Sequence, residues 1–379
     1  MTHSKQNWLV RIIEKFLLLA NLMALGWLLL CVAAAWISPE NVKYLPALSL
    51  TTPFALLVNM AMVFLWLFTR RKYLTLISLI PLILCWKMIP AIFGLHFFKK
   101  NDWQPTAHSF KIMSWNVHAM GLFNPPHEKK FAREVMNFIK KESPDILCLP
   151  EFATALDTPM STYADVIKKE NNYHVYQFDI DNGYGPYIWI GSAVFSRFPL
   201  VGYEVFVLNE YISLLQCDFT LPNDQIVRVF VLHLQSFGLS DTDKAIIESL
   251  KKNNPGKIKD SRTFAWKFNE AYRQRAREAE KAMKVIKKSP YPVIVCGDFN
   301  DLPYSYTYTV FSRTLTDAFS KMGKGLGRTY NQIVPTLRID HIFYTPEHLN
   351  IKAFKTVYSP YSDHSPIIAN FEYIAEAQD

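Results

Sequence analysis

Three apolar runs crowd into the first hundred residues of this 379-residue chain, and they constrain everything that follows. Ile12–Ile37 holds only Glu14 and Lys15 as charges, Leu48–Phe68 holds none, and Leu74–Phe98 holds Lys87 alone. A helix crosses a bilayer with roughly 20 apolar residues, and each run supplies them. Buried helices of a soluble bundle would carry a polar stripe, which Leu48–Phe68 lacks. A cleaved signal peptide has a far shorter apolar region, so Ala33-Ala34-Ala35 is not read as its cleavage site. The expectation is a membrane anchor of three transmembrane helices over residues 1–100. The third is interrupted by Pro81, Lys87 and Pro90.

Charge divides the chain at the same place. Met1–Lys100 carries ten Lys/Arg and two Asp/Glu; the whole chain carries 41 and 33, which leaves 31 of each for Asn101–Asp379. The excess therefore belongs to the anchor and is not the basic footprint of a nucleic-acid-binding domain. Lys5, Arg11 and Lys15 precede the first run, and Arg70-Arg71-Lys72 follow the second; the loop between those runs has Lys43 alone. The positive-inside rule places the N-terminus and the Arg70 loop in the cytoplasm. After three crossings, residues 101–379 are expected outside a cytoplasmic membrane; a third run that re-entered instead of crossing would leave them in the cytoplasm. Cys31 and Cys85 fall in spans, and Cys148, Cys217 and Cys296 in apolar runs, so buried thiols are expected rather than a disulfide framework.

Residues 101–379 read as one large domain. Short strand-like runs recur at Phe110–Trp115, Asp145–Leu149, Ser192–Ser196 and Leu214–Leu221, then at Ile226–Leu234, Pro292–Cys296, Ile339–Tyr344 and Pro366–Phe371. Leu-Pro-Asn-Asp at 221–224 marks a hairpin turn, and helical patterns cover Glu128–Lys141 and Arg262–Lys288. Strands mixed with helices, some joined by hairpins, predict an α/β layered sandwich. Lys244–Lys288 is locally basic, with 14 Lys/Arg against five Asp/Glu. It reads as a solvated helix face with pairs such as Glu280–Lys284, or as a surface for anionic lipid or a polyanion.

The residues able to do chemistry share a placement at strand ends. Asn116, Glu151, His233 with Gln235, and Asp298 with Asn300 close four apolar runs; Asp340-His341 opens another, and Asp363-His364 precedes the last. Each alone is a weak signal. Together they bring hard oxygen donors and two imidazoles to one edge, a set suited to Mg²⁺ or Mn²⁺ and lacking zinc spacing. His341 reads as a strand residue because its neighbour Asp340 faces the site. Arg338 reads as closing a surface pair, with phosphate binding as the alternative, and Arg197 as scaffold at the end of a central strand. Gly323, Gly325 and Gly327 do not directly follow a strand, so they form a loop and not a dinucleotide fingerprint.

Gly-Asp298-Phe-Asn300 followed by Ser-Asp363-His364 resembles the endonuclease/exonuclease/phosphatase (DNase I-like) superfamily over Phe110–Tyr373, and its membrane-anchored bacterial branch most closely. The resemblance implies a four-layer α/β sandwich with its site at one edge. It implies that Glu151 ligates Mg²⁺ with Asn116 beside it and Asp363 as a further metal-side carboxylate. Asp298 would orient or deprotonate the attacking water, and Asn300 and His233 would bind the phosphoryl group. His364, held by Asp340, would donate to the phosphate or act as acid/base. The reaction class is phosphoester hydrolysis.

The substrate is open between a nuclease-like diester and a phospholipid or sphingomyelin-type diester, with a non-catalytic membrane protein as the remote alternative. The expected partners are the bilayer and a phosphate-ester substrate, with no protein partner required.

Overall fold

Residues 2–97, 104–106, 108–123, 128–155, 162–184, 187–238, 258–331 and 337–374 are described by the computed structural model of the chain. Strands are numbered in chain order. One six-stranded sheet runs β13 (Leu349–Thr356), β14 (Ile367–Tyr373), β2 (Ser109–Ser114), β3 (Ile146–Ala155), β5 (Ile188–Ser196), β4 (Val175–Tyr184). The other runs β10 (Thr316–Asp317), β12 (Asp340–Tyr344), β9 (Val293–Asp298), β8 (Ile226–His233), β7 (Ser213–Thr220), β6 (Leu200–Val207). A short ribbon pairs β1 (Gly94–Leu95) with β11 (Lys324–Gly325). The glycine loop expected at 323–327 is thus partly a strand, joined to the end of the third apolar run.

Alternation along the strands builds four layers. Ile112, Val229, Val231, Ile294 and Cys296 pack between the two sheets. Their sequence neighbours point outward, Phe230, Leu232, Val293 and Val295 onto the helix Ile258–Ile286 through Ala276, Ala279 and Met283. On the opposite outer face, Met113, Leu147 and Leu149 pack against Ala132, Val135 and Ile139 of the helix Glu128–Glu142. Sheets covered on both faces need strands that are apolar at successive positions. Cys148, Cys217 and Cys296 lie buried as free thiols.

The N-terminal part contains two helices long and apolar enough to cross a membrane, Trp8–Trp36 and Leu45–Leu67. Their distribution is inverted relative to a soluble bundle. Phe16, Leu19, Met23, Leu57 and Phe64 are exposed, whereas Asn21, Asn59 and Ser78 are buried and bonded to one another, with Ser78 Oγ donating to Asn59 Oδ1 at 2.9 Å. Polar groups turned inward and bonded to one another suit a lipid surround, although the buried Asn21 Nδ2 has no partner among the described residues.

The third apolar run does not form one continuous helix. It breaks into Leu76–Leu84 and Met88–Ile92, because Pro90 has no N–H for the Trp86 carbonyl and its ring would clash with that carbonyl. Its two ends meet different parts of the molecule, and Met88 packs with Leu28 and Cys31 of the first helix. Arg71, just before it, pairs with Glu14 at 3.1 Å, while Ala91 O accepts from Arg338, two residues before β12.

The far end of the first helix is bound to the C-terminal domain. Arg313 lies over the Trp36 ring at 4.7 Å, Glu40 pairs with Arg273 at 3.3 Å and Arg277 at 2.9 Å, and Tyr44 N donates to Asn269 Oδ1 at 3.0 Å. Much of the described basic stretch is spent inside the molecule in this way. Arg275 is fully buried, and Lys281 donates to Leu208 O at 2.7 Å. Glu280 accepts from Tyr306 at 2.6 Å, and no pair with Lys284 occurs among the described residues. The start of the stretch, 244–257, lies outside the described residues.

Two arginines read from the sequence fall where packing dictates. Arg338 is buried, not on the surface, and bonds Asp317 at 3.1 Å and His341 Nδ1 at 2.8 Å. Arg197 bonds Asn171 O, Asp145 Oδ1 and Ser143 Oγ at 3.2, 3.2 and 2.6 Å. Arg197→Ala is expected to lower stability by about 1–3 kcal/mol with turnover per folded molecule unchanged. Thermal unfolding beside kcat checks this; a loss of turnover in a folded variant would contradict it.

Candidate active site

The strand directions bring the polar residues together. β2 runs parallel to β3, and β8 parallel to β9, so each pair points to the same edge and brings Asn116, His233 and Asp298 there at or just beyond strand ends. Glu151, expected to close its strand, instead lies within β3, which runs on to Ala155. β12 and β14 are antiparallel to these neighbours and begin at that edge, delivering Asp340 and the Asp363-His364 segment. Asp298 stands in register with His233 on one side and Asp340 on the other. Gly297 makes that close pairing possible: at its φ of 140°, a Cβ would lie 1.9 Å from Leu232 O.

Glu151 sits at an irregularity in β3, between Leu149 and Phe152, with a left-handed φ of 49°. Asn300 has φ 50° and His118 φ 44°. Such backbone costs of order 1–3 kcal/mol each and is found where neighbours hold it for a purpose. Here it turns the Glu151 side chain towards the second sheet, placing Oε1 3.2 Å from His233 Nε2.

Asp298 is the hub. Its Oδ1 accepts from Asn300 N at 2.8 Å and its Oδ2 from Asn116 Nδ2 at 3.1 Å. His364 Nε2 lies 3.6 Å and His233 Nε2 3.9 Å from Oδ2. His364 Nδ1 bonds Asp340 Oδ2 at 2.9 Å, which fixes its ring. Burial alone would lower the His364 pKa, but Asp340 and Asp298 outweigh it and raise it to about 10. His233 moves up for the same reason, with Glu151 and Asp298 overcoming burial. Burial raises Asp298, opposed by His364. Asn300 Nδ2 donates to Leu234 O at 2.9 Å. His341 is turned away, bonded to Arg338 and to Asp301 O, and burial holds it well below the usual imidazole range.

Two features were not read from the sequence. His118 Nδ1 lies 3.6 Å from Asp363 Oδ1 and 4.0 Å from Glu151 Oε2; its only sequence signal is its position two residues after Asn116. A cavity of about 440 Å³ opens over the cluster, walled on one side by Phe237, Phe268, Tyr272 and Leu50.

The carboxylates suit a divalent cation. Among the described residues, every ion pair of Glu151, Asp298, Asp340 and Asp363 is with an imidazole, none with Lys or Arg. Ligand atoms of Glu151, His233 and Asp298 lie within 4.8 Å of one another, and buried His233 Nε2 makes no hydrogen bond. Converging oxygen donors with unbalanced negative charge are the surroundings Mg²⁺ and Mn²⁺ require.

Residues 113–364 match the Endonuclease/Exonuclease/phosphatase family. The chain belongs to that family. Residues 14–92 match a separate domain of unknown function, DUF8431. No curated protein gives a significant match. Among solved structures, the endonuclease/exonuclease/phosphatase from Bacteroides vulgatus is similar at 17% identity and TM-score 0.52, covering 70% of this chain and 99% of that one. The human Nocturnin catalytic domain with bound sulfate is similar at 18% identity and TM-score 0.51, covering 72% and 97%. An endonuclease/exonuclease/phosphatase from Beutenbergia cavernae gives 18% identity and TM-score 0.50, covering 70% and 72%. These likenesses establish the DNase I-like fold with its two sheets.

Proposed function

We propose that this chain is a membrane-tethered, Mg²⁺-dependent phosphoesterase, with residues 1–100 as anchor and 101–379 as catalytic domain. The observation that carries the reading is the convergence of four carboxylates and three imidazoles at one sheet edge, without Lys or Arg partners among the described residues. Glu151 would hold the cation, with Asn116 and Asp363 beside it. When bound, a divalent cation neutralises phosphoryl oxygens and acidifies a water.

The remaining work falls to side chains. Asp298, fixed by Asn116 and Asn300 N, is placed to accept the proton of the attacking water. His233 and Asn300 donate to the phosphoryl oxygens as charge grows, each worth roughly 2.7–4 kcal/mol on the oxyanion-hole precedent. His364, raised and oriented by Asp340, presents a proton on Nε2. It serves as a charge-stabilising donor or as acid to the leaving oxygen.

The anchor's two ends support one sidedness. Arg70-Arg71-Lys72 lie at the end near Glu14, and the catalytic domain is fixed at the other. With positive residues inside, the catalytic domain stands outside the cytoplasmic membrane in a bacterium-like topology. Protease added to intact spheroplasts should digest it; protection until lysis would contradict that placement.

The activity is tested with the full chain in bilayer nanodiscs on plasmid DNA, RNA, sphingomyelin and an artificial phosphodiester, with an Asp298→Ala control. Turnover of at least one ester at saturating Mg²⁺, lost in the control, is expected. A folded native protein that turns over none of these esters would favour the non-catalytic alternative, and equal turnover in Asp298→Ala would remove Asp298 from the chemistry.

A further inference from the structure

The cavity over the catalytic cluster has two unlike sides. One carries His118, Glu151, Asp298 and His364; the other carries Leu50, Phe237, Phe268 and Tyr272. A phosphate group gains nothing from the second side. Leu50 is 38% exposed and belongs to the 3₁₀ segment Leu45–Thr51, which leads directly into the apolar helix Thr52–Leu67. A residue of the anchor is therefore part of the cavity wall, held there by the Tyr44–Asn269 bond and the Glu40 ion pairs.

We infer that Leu50, Phe237, Phe268 and Tyr272 form a subsite for the hydrocarbon portion of an amphiphilic phosphate ester drawn from the bilayer. The inference rests on the phosphoesterase reading and names its substrate class. A stacked nucleobase is the competing occupant, and three observations disfavour it. Phe237 and Phe268 already stack on each other, with centroids 4.0 Å apart at 18°, and the Arg275 guanidinium covers Phe237 at 4.1 Å. Leu50 has no π face. The nearby cations Arg273 and Arg277 are paired with Glu40 rather than aimed along a polyanion's path. An apolar chain asks only for apolar area, and it arrives where the spanning helices end.

The test places a thiol in the wall: Leu50→Cys in the full chain, in nanodiscs, labelled with a water-soluble maleimide. Four of the five native cysteines are buried, and the unsubstituted protein gives the background. Butyl, hexyl and octyl phosphate should protect the thiol, with the half-protecting concentration falling up to about fourfold per added methylene. Inorganic phosphate should not protect. Protection independent of chain length, or protection by an oligonucleotide instead, would overturn the inference. A second readout needs no thiol: hydrolysis of p-nitrophenyl alkyl phosphates should rise with chain length, and Leu50→Asp should flatten that rise. Chain-length-dependent protection without metal-dependent hydrolysis would count against the phosphoesterase reading and leave the hydrocarbon subsite standing. Hydrolysis without protection would do the reverse.

Discussion

Asp298→Asn is expected to lower phosphodiester turnover by about 10²–10⁴-fold, the range a positioned proton acceptor supplies. The carboxylate is almost wholly buried, with one oxygen on Asn300 N and the other on Asn116 Nδ2. The substitution keeps the side chain's size but removes the negative charge facing His364 and His233. It also removes the acceptor for the water proton. One amide N–H must then face a donor, which costs stability of about 1–3 kcal/mol, so thermal unfolding belongs beside kcat. A folded Asp298→Asn protein that turns over at the native rate would remove Asp298 from the chemistry.

Glu151→Gln should produce the second large loss, of a different kind. Charge stabilisation by a bound cation is worth several kcal/mol, and about 1.4 kcal/mol is a factor of ten. Loss of the carboxylate should therefore lower turnover by about 10²-fold or more at ordinary Mg²⁺. Unlike Asp298→Asn, this variant should recover partly as Mg²⁺ is raised, because the remaining carboxylates still attract the ion. The geometry motivates the distinction: both line the cavity, but Glu151 is half-buried whereas Asp298 is almost wholly buried. Identical Mg²⁺ dependence in native and Glu151→Gln proteins would argue that Glu151 holds no cation.

The eight strand-like runs legible in the sequence are the eight inner strands of the two sheets, and the four strands missed in those sheets, β4, β6, β10 and β13, are their four edges. Inner strands are covered on both faces and so read as continuous apolar runs. Edge strands mix polar residues, as β4 does with Gln177, Asp179 and Asp181, or are too short, as β10 is with two residues. Most of the catalytic candidates were legible because they lie at or just beyond the ends of inner strands, as His233, Asp298 and Asp340 do; Glu151 lies at a break inside β3. His118 and the cavity wall were not, since Leu50, Phe237 and Tyr272 meet only through the packing of distant segments. The third apolar run looked like a span by composition, and Pro90 decided its break.

The central claim is a cation-dependent phosphoesterase site. It is tested most directly by stripping the full-length protein with EDTA and titrating Mg²⁺ back while following hydrolysis of an activated phosphodiester. The account predicts no turnover without metal and a saturable rise as Mg²⁺ returns. Turnover indifferent to EDTA and Mg²⁺, in a folded protein, would contradict it.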